Sequence, residues 1–303
     1  MAMFRTSFSS KLFIEGLRKA AFDAYNALPL TYTEIYQVNK STHQKEYDHS
    51  IASIGMLAKK GEGDPVTYED FVDGYDTIYQ HNTYAKAIRC TEELIEDMMY
   101  GVMTKRAKAL GKSARYRKEW DHASLFNDAD SATVISGFTP PNSEALCANS
   151  HALAGITGVT IDNLTTSDLS LSELETAFLY FRNVVRDDQN LRISMTPKTL
   201  LIPPALEFDA HEILNSTLKP YTANNETNYF KGALNIVVWP FLTGSDDWFV
   251  LAGKDDGAPQ SFDRVPVSFK EEGDFDTGDL KIKCRTRYSF GYSDWRWCYG
   301  SSD

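Results

Sequence analysis

MTPKTLLIPPALEFDAHEILNS (residues 195–216) and NIVVWPFLTGSDDWFVLAG (residues 235–253) decide how this chain is read, because their apolar residues fall in the short, regular runs of packed strands and one helix. Leu200, Leu201 and Ile202 form an apolar strand. Pro203-Pro204 stops it and presets the first turn of a helix, where a missing N–H costs nothing. Leu206, Ala210, Ile213 and Leu214 then share one helical face. Residues 234–239 and 248–252 read as buried strands joined by a turn at Gly244-Ser245-Asp246-Asp247.

Working outward, residues 11–27 read as an amphipathic helix that ends before Pro29. A turn centre at Gly61-Glu62-Gly63-Asp64-Pro65, flanked by residues 51–60 and 66–89, reads as a long hairpin. If it projects, a hairpin cannot cover both of its faces within one subunit. Residues 91–122 carry the clearest helical pattern, with Thr91 as the expected N-cap and Leu94, Ile95, Met98, Met99, Val102 and Met103 on one face. Acids crowd its first turns and cations its later ones, as the helix dipole favours, and Gly111 marks a candidate break. A turn-rich stretch, 123–170, leads to a capping box, Ser170-x-x-Glu173, opening a helix over about 171–186. Residues 280–290 alternate strictly, Leu280, Ile282, Cys284, Thr286, Tyr288 and Phe290 against Lys281, Lys283, Arg285, Arg287 and Ser289, so one strand face is buried and the other basic.

Composition narrows the function. At 303 residues and 42% hydrophobic, the chain holds one large domain or two modest ones with a real core. Its net charge of −11 argues against a protein whose main work is gripping nucleic-acid phosphate. The four cysteines, Cys90, Cys147, Cys284 and Cys298, are scattered without a Cys-x-x-Cys pair, so reduced thiols are expected. No signal peptide and no run of about 20 apolar residues is present.

Catalytic fragments fail at the residues their chemistry requires. Gly111-Lys112-Ser113 ends like a phosphate loop, but Arg106 stands where a glycine is needed. His211-Glu212 lacks the second histidine of a zinc site, because Asn215 occupies that position. The acidic run 274–279 reaches Arg285 where a calcium loop needs a bidentate glutamate. Cys147-x-x-x-His151 has no second pair. A soluble hydrolase with an unrecognised site is the alternative of another class.

The strand, capped helix and two further strands of 195–253 resemble the central domain of tailed-phage major capsid proteins, the Mu-type major head subunit branch of the Hong Kong 97 capsid fold. The resemblance takes in SKLFIEGLRKAAFDAYNALPLTYTEIY (10–36), the segment from Glu62 to Tyr68, TEELIEDMMYG (91–101) and DFDTGDLKIKCRTRYSFGYSDWRW (274–297), nearly the whole chain in order. It implies an α+β, Hong Kong 97-like fold: an N-terminal arm (1–50), an extended hairpin (51–90), a peripheral domain with a spine helix (91–170), a central axial domain (171–262) and return strands of the peripheral domain (263–303). It implies a major capsid protein of the virion, assembled in the host cytoplasm into pentamers and hexamers around double-stranded DNA, with no membrane. Portal and scaffolding proteins are expected partners, the few residues before the arm pattern implying either a separate scaffold chain or prior processing; a decoration protein is a further candidate. An encapsulin-like or gene-transfer shell is the alternative within the fold. No catalytic residue, metal or cofactor is implied. The expected interface residues are Phe13, Leu17 and Tyr25 of the arm, Glu62, Gly63, Asp64 and Pro65 of the hairpin tip, and Glu92, Glu93 and Arg106 of the helix.

Overall fold

The computed structural model describes residues 3–70, 72–97, 100–131, 135–220, 226–274 and 276–301, with residues 3–14 described by their backbone alone. Helix α1 (Met3–Asn26) and one-turn helix α2 (Tyr32–Ile35) precede strand β1 (Gln37–Lys40). Strands β2 (Lys45–Ile51), β3 (Asp73–Gln80) and β4 (Asn82–Cys90) lead to helices α3 (Glu92–Glu96) and α4 (Tyr100–Asn127). Four two-residue strands follow: β5 (Phe138–Thr139), β6 (His151–Ala152), β7 (Thr160–Ile161) and β8 (Leu164–Thr165). After α5 (Leu171–Leu179) come β9 (Pro197–Ile202), α6 (Glu207–Asn215), β10 (Asn235–Val238) and β11 (Trp248–Ala252). The last strands are β12 (Gln260–Gly273), β13 (Leu280–Gly291) and β14 (Cys298–Ser301).

Two sheets organise these elements into a mixed α+β fold. The first is five-stranded, in the order β10-β9-β11-β14-β8. All five residues of β11 are buried, and Leu200, Leu201 and Ile202 of β9 have no exposure, as their unbroken apolar runs required. Strands β10 and β11 are not neighbours: β9 lies between them, parallel to β10 and antiparallel to β11. Strand β10 is therefore an edge strand, and Asn235 is exposed where a wholly buried strand was expected. Helix α6 forms where it was read, after a 3-10 turn at Pro204–Leu206, and buries Ala210, Ile213 and Leu214. The capping box is half seen, with Ser170 Oγ accepting from Glu173 N at 3.3 Å. Helix α5 ends at Leu179 and passes into a π-turn over Tyr180–Val184.

The second sheet is four-stranded, in the order β1-β12-β13-β4, with α1 and α4 packed on one face. Strand β13 buries Leu280, Ile282, Cys284 and Thr286 and exposes Lys281, Lys283 and Arg285, as its alternation predicts, then becomes buried on both faces from Tyr288 onward. The small core beneath the helices joins Leu17, Ala21, Cys90, Met103, Ala107, Leu110, Phe269, Leu280, Ile282 and Cys284. Strand β14 belongs to the five-stranded sheet, so the segment 263–303 contributes strands to both sheets.

The helical region differs from its sequence reading in four ways. Thr91 has the extended backbone of a cap residue, but its side chain makes no capping hydrogen bond. Met98 and Met99 lie outside the described residues, and Val102 is exposed although Met103 is buried. Helix α4 continues to Asn127 instead of stopping near 122. It runs unbroken through Gly111, because the missing side chain admits a neighbour: a Cβ there would lie 2.1 Å from the Ala21 carbonyl oxygen of α1.

One face of the second half of α4 is buried in spite of its charges. Lys118 Nζ holds both oxygens of Asp263 at 2.7 and 2.9 Å. Glu119 accepts from Thr31 N at 3.1 Å and from Trp239 Nε1 at 3.0 Å. Asp121 accepts from Tyr288 OH at 2.6 Å and from Arg117 at 2.8 Å. Arg115 donates to the carbonyls of Pro29 and Leu28 at 3.3 and 2.5 Å. Each buried charge thus has a partner, as burial demands, and α4 is tied to α2, to both long closing strands and to the residue that follows β10.

Candidate functional site

The hairpin departs from the expected one in where its strands lie. Strands β2 and β3 pair antiparallel, from Lys45↔Gln80 to Ile51↔Asp73, and β4 leaves them to pair with β13 in the other sheet. Residues 52–70 make no helix or strand; they form an extended loop whose two arms are clipped together low down. Ala52 N donates to Val72 O at 3.0 Å, and Gly55 N reaches both carboxylate oxygens of Glu69 at 3.1 and 3.3 Å. Ser53 Oγ donates to Asp187 at 2.5 Å, which fixes the root of the loop to the body. At the tip Gly63 takes a positive φ of 83°, and Asp64 closes the turn by accepting from Gly61 N at 3.0 Å. Glu62, Gly63, Asp64 and Pro65 are all exposed, as a projecting tip requires.

Below the tip the loop displays apolar side chains to solvent. Met56 is 81% exposed, Leu57 94% and Tyr68 96%, with Ile54 and Val66 more than half exposed beside them. Single exposed apolar residues are ordinary, but a cluster on one projecting loop marks an interaction surface. Covering each of the large ones contributes about 1.5–3 kcal/mol. Within its own subunit the loop gains none of this.

The remaining expected interface residues are scattered. Leu17 is 1% exposed and sits in the small core against the sheet, so it fixes α1 to its own subunit instead of presenting a contact to another. The Phe13 side chain lies outside the described residues. Tyr25 is half-buried, with the Arg115 guanidinium 5.1 Å from its ring centre, and burial raises its hydroxyl's pKa. Glu92, Glu93 and Arg106 are exposed near the start of the helical region. Glu92 packs over the turn at Gly278, where a Cβ would meet its carboxylate.

Nothing catalytic assembles around the rejected fragments. Gly111, Lys112 and Ser113 are in mid-helix, and His211 is an exposed helical residue whose Nδ1 accepts from Asn215 Nδ2 at 2.8 Å. Among the described residues no three His, Cys, Asp or Glu side chains are placed to hold a metal ion. A cavity of about 320 Å³ between α4 and the four-stranded sheet is lined by Tyr84, Leu110, Arg117 and Cys284, among others. Burial pushes the Cys284 thiol up to about 11, which keeps it protonated and unreactive. Cys147 and Cys298 are free and buried, their sulfurs 3.9 Å apart. No helix among the described residues is long and apolar enough to cross a membrane.

The cluster of buried polar groups on α4 was missed in the sequence. Its only signal was the Tyr and Trp content of the segments that meet it: Tyr32, Tyr36, Trp239 and Tyr288 each bring a polar tip to an apolar body. Burial raises the pKa of both Glu119 and Asp121.

The chain is similar in fold to the capsid of cyanophage P-SCSP1u, at 10% identity and a TM-score of 0.57 over 88% of this chain and 85% of that one. The capsid of an empty GTA particle gives 9% identity and a TM-score of 0.55, over 90% of each chain. The virus-like particle of Pyrococcus furiosus gives 12% identity and 0.54, over 95% of this chain and 98% of that one. These likenesses define the class by fold. The sequence itself matches the family described as phage capsid protein over residues 74–301, well over half of the chain, and the chain belongs to that family. No curated protein matches it. Membership bears out the expected function, a structural protein of the virion capsid, and replaces the hydrolase alternative.

Proposed function

We propose that this chain is the major head subunit of a tailed phage, in the Mu-type branch of the Hong Kong 97-like fold, forming pentamers and hexamers that close into an icosahedral shell around double-stranded DNA. The observation that carries this reading is the loop at 52–70, whose Met56, Leu57 and Tyr68 are bare in the isolated subunit of a phage capsid protein. A neighbouring copy is the occupant that closed symmetry supplies at every position. In this reading residues 1–50 are the arm, 51–90 the extended hairpin, 91–170 the peripheral domain and 171–262 the central domain; 263–303 returns to the peripheral sheet before β14 enters the central one. Glu62 to Pro65 at the tip, Tyr25 on the arm, and Glu92, Glu93 and Arg106 are the proposed contacts. A portal protein and a scaffolding protein are the expected partners, with a decoration protein as a further candidate, and assembly takes place in the host cytoplasm.

Light scattering and negative-stain imaging of the purified chain, with and without a co-expressed candidate scaffold, test the reading. Ring-shaped capsomers or closed shells are expected; a monomer under both conditions overturns it. A second reading, a gene-transfer or encapsulin-like shell, is favoured by likenesses of equal strength to the GTA and Pyrococcus furiosus particles. Portal and terminase genes beside this one would decide for the phage head.

A further inference from the structure

The chain as a whole is acidic, but the exposed surface of α4 is not. The acids between Tyr100 and Asn127 are Glu119 and Asp121, both buried and both engaged by internal donors. Lys105, Arg106, Lys108 and Lys112 are exposed, and among the described residues the side chain of none of the four makes an ion pair or a hydrogen bond. Lys105, Lys108 and Lys112 recur at three- and four-residue spacing, so they lie on one face, and Tyr116 and Trp120 continue it, each 47% exposed. The face extends over roughly 22 Å at 1.5 Å per residue. On the other side of the helix Met103, Ala107, Leu110 and Gly111 are buried against α1 and the sheet.

Three lysines within about two turns repel one another, and among the described residues no carboxylate pairs with them to offset that cost. We propose that this face of α4 is a contact surface for the phosphate backbone of duplex DNA, which rests on the reading of the chain as the wall of a DNA-filled shell. Duplex DNA carries one charge per roughly 1.7 Å of axis, so it presents phosphate along the whole face. Lysine heads act as point charges, and the polar tips of Tyr116 and Trp120 add phosphate donors; such contacts position a duplex without reading its sequence. A protein partner fits less well, since lysine is depleted from protein–protein interfaces and Ala109 is the one exposed apolar residue between Lys105 and Lys112. Of the other exposed cations of this region, Lys270, Lys283 and Arg285 lie on β12 and β13. Lys283 and Arg285 alternate with Ile282 and Cys284, which face the core beneath α4, so they occupy the opposite face of the sheet.

The test is the affinity of unassembled full-length subunits for a fluorescein-labelled random-sequence linear duplex, measured by anisotropy between about 50 and 200 mM salt. The wild type binds at low salt, and the triple variant K105Q/K108Q/K112Q loses roughly 2.7 from the magnitude of the log–log salt slope, with K108Q alone losing roughly 0.9. The variant K270Q/K283Q/R285Q keeps the wild-type slope. No wild-type binding at the lowest salt, an unchanged slope in the α4 triple, or an equal loss in the sheet triple overturns the proposal. Negative-stain images of the same preparations separate the two readings: shells that assemble from a chain without this DNA affinity leave the shell function standing and remove only the DNA face.

Discussion

His122 Nε2 lies 2.8 Å from the hydroxyl of Ser261, and its Nδ1 lies 2.7 Å from the carbonyl of Lys118 one turn earlier. The ring is fully buried among Tyr32, Tyr36, Tyr288 and Phe290, so it joins α2, α4, β12 and β13 at one point. Burial, reinforced by the nearby Lys118 charge, pushes its pKa down to about 3. The native ring therefore stays neutral, with Nδ1 donating to the carbonyl and Nε2 accepting from serine.

The sign of the pH dependence follows. Between about pH 6.5 and 3 the unfolded chain binds a proton at this histidine that the native chain refuses, so stability present above 6.5 falls as pH falls, with a slope approaching about 1.4 kcal/mol per unit. Urea midpoints of wild type and His122→Asn, compared from pH 7 to 4, should converge on acidification. Parallel curves would mean that His122 is not the group responsible.

Lys118 and Asp263 form a largely buried pair, and removing one partner leaves an uncompensated charge. Asp263→Asn should cost about 3 kcal/mol in chemical denaturation, and a large part should return in the double variant with Lys118→Met. Additive losses would show that the two side chains do not act as a pair.

Gly111→Ala would ordinarily strengthen a helix by about 1 kcal/mol. Here the added methyl meets the Ala21 backbone, so a net loss of roughly 1–3 kcal/mol is expected, with faster proteolysis of α1. Gly101→Ala, whose Cβ meets nothing within 4 Å, is the control and should be neutral or slightly stabilising.

Serine in place of Met56, Leu57 and Tyr68 together should leave the melting temperature of the isolated subunit nearly unchanged, since these side chains cover nothing inside it. Assembly should fail in light scattering. Normal shells from this variant would remove the loop from the proposed interface.

Legibility in the sequence followed periodicity. Strand β11, helix α6 and most of β13 were read because one pattern held over each, whether an unbroken apolar run, a 3.6-residue face or an alternation of two. The hairpin strands were not, because Tyr47 and Ile51 of β2 are exposed and no apolar face marks them. The burial of the charges in residues 115–122 had no local signal, since nothing nearby in the chain tells Lys118 that its carboxylate lies 145 positions away. Strand order was equally hidden: the turn between β10 and β11 gave no sign that β9 would lie between them. The interface remained the least legible part, because a surface meant for a second molecule has no pattern of burial within the first.

Both sheets are completed by partners distant in sequence. Gln37 of β1 meets Gln260 across 223 positions, and Asn163 beside β8 binds the Cys298 carbonyl across 135. Such closures pay their loop entropy before any contact rewards them, so folding is slow for the chain's size. During synthesis β1 and β8 wait as unpaired edges until most of the polypeptide has left the ribosome. The two sheets are therefore sealed from the far end of the chain: neither is complete until the strands between residues 260 and 301 are in place.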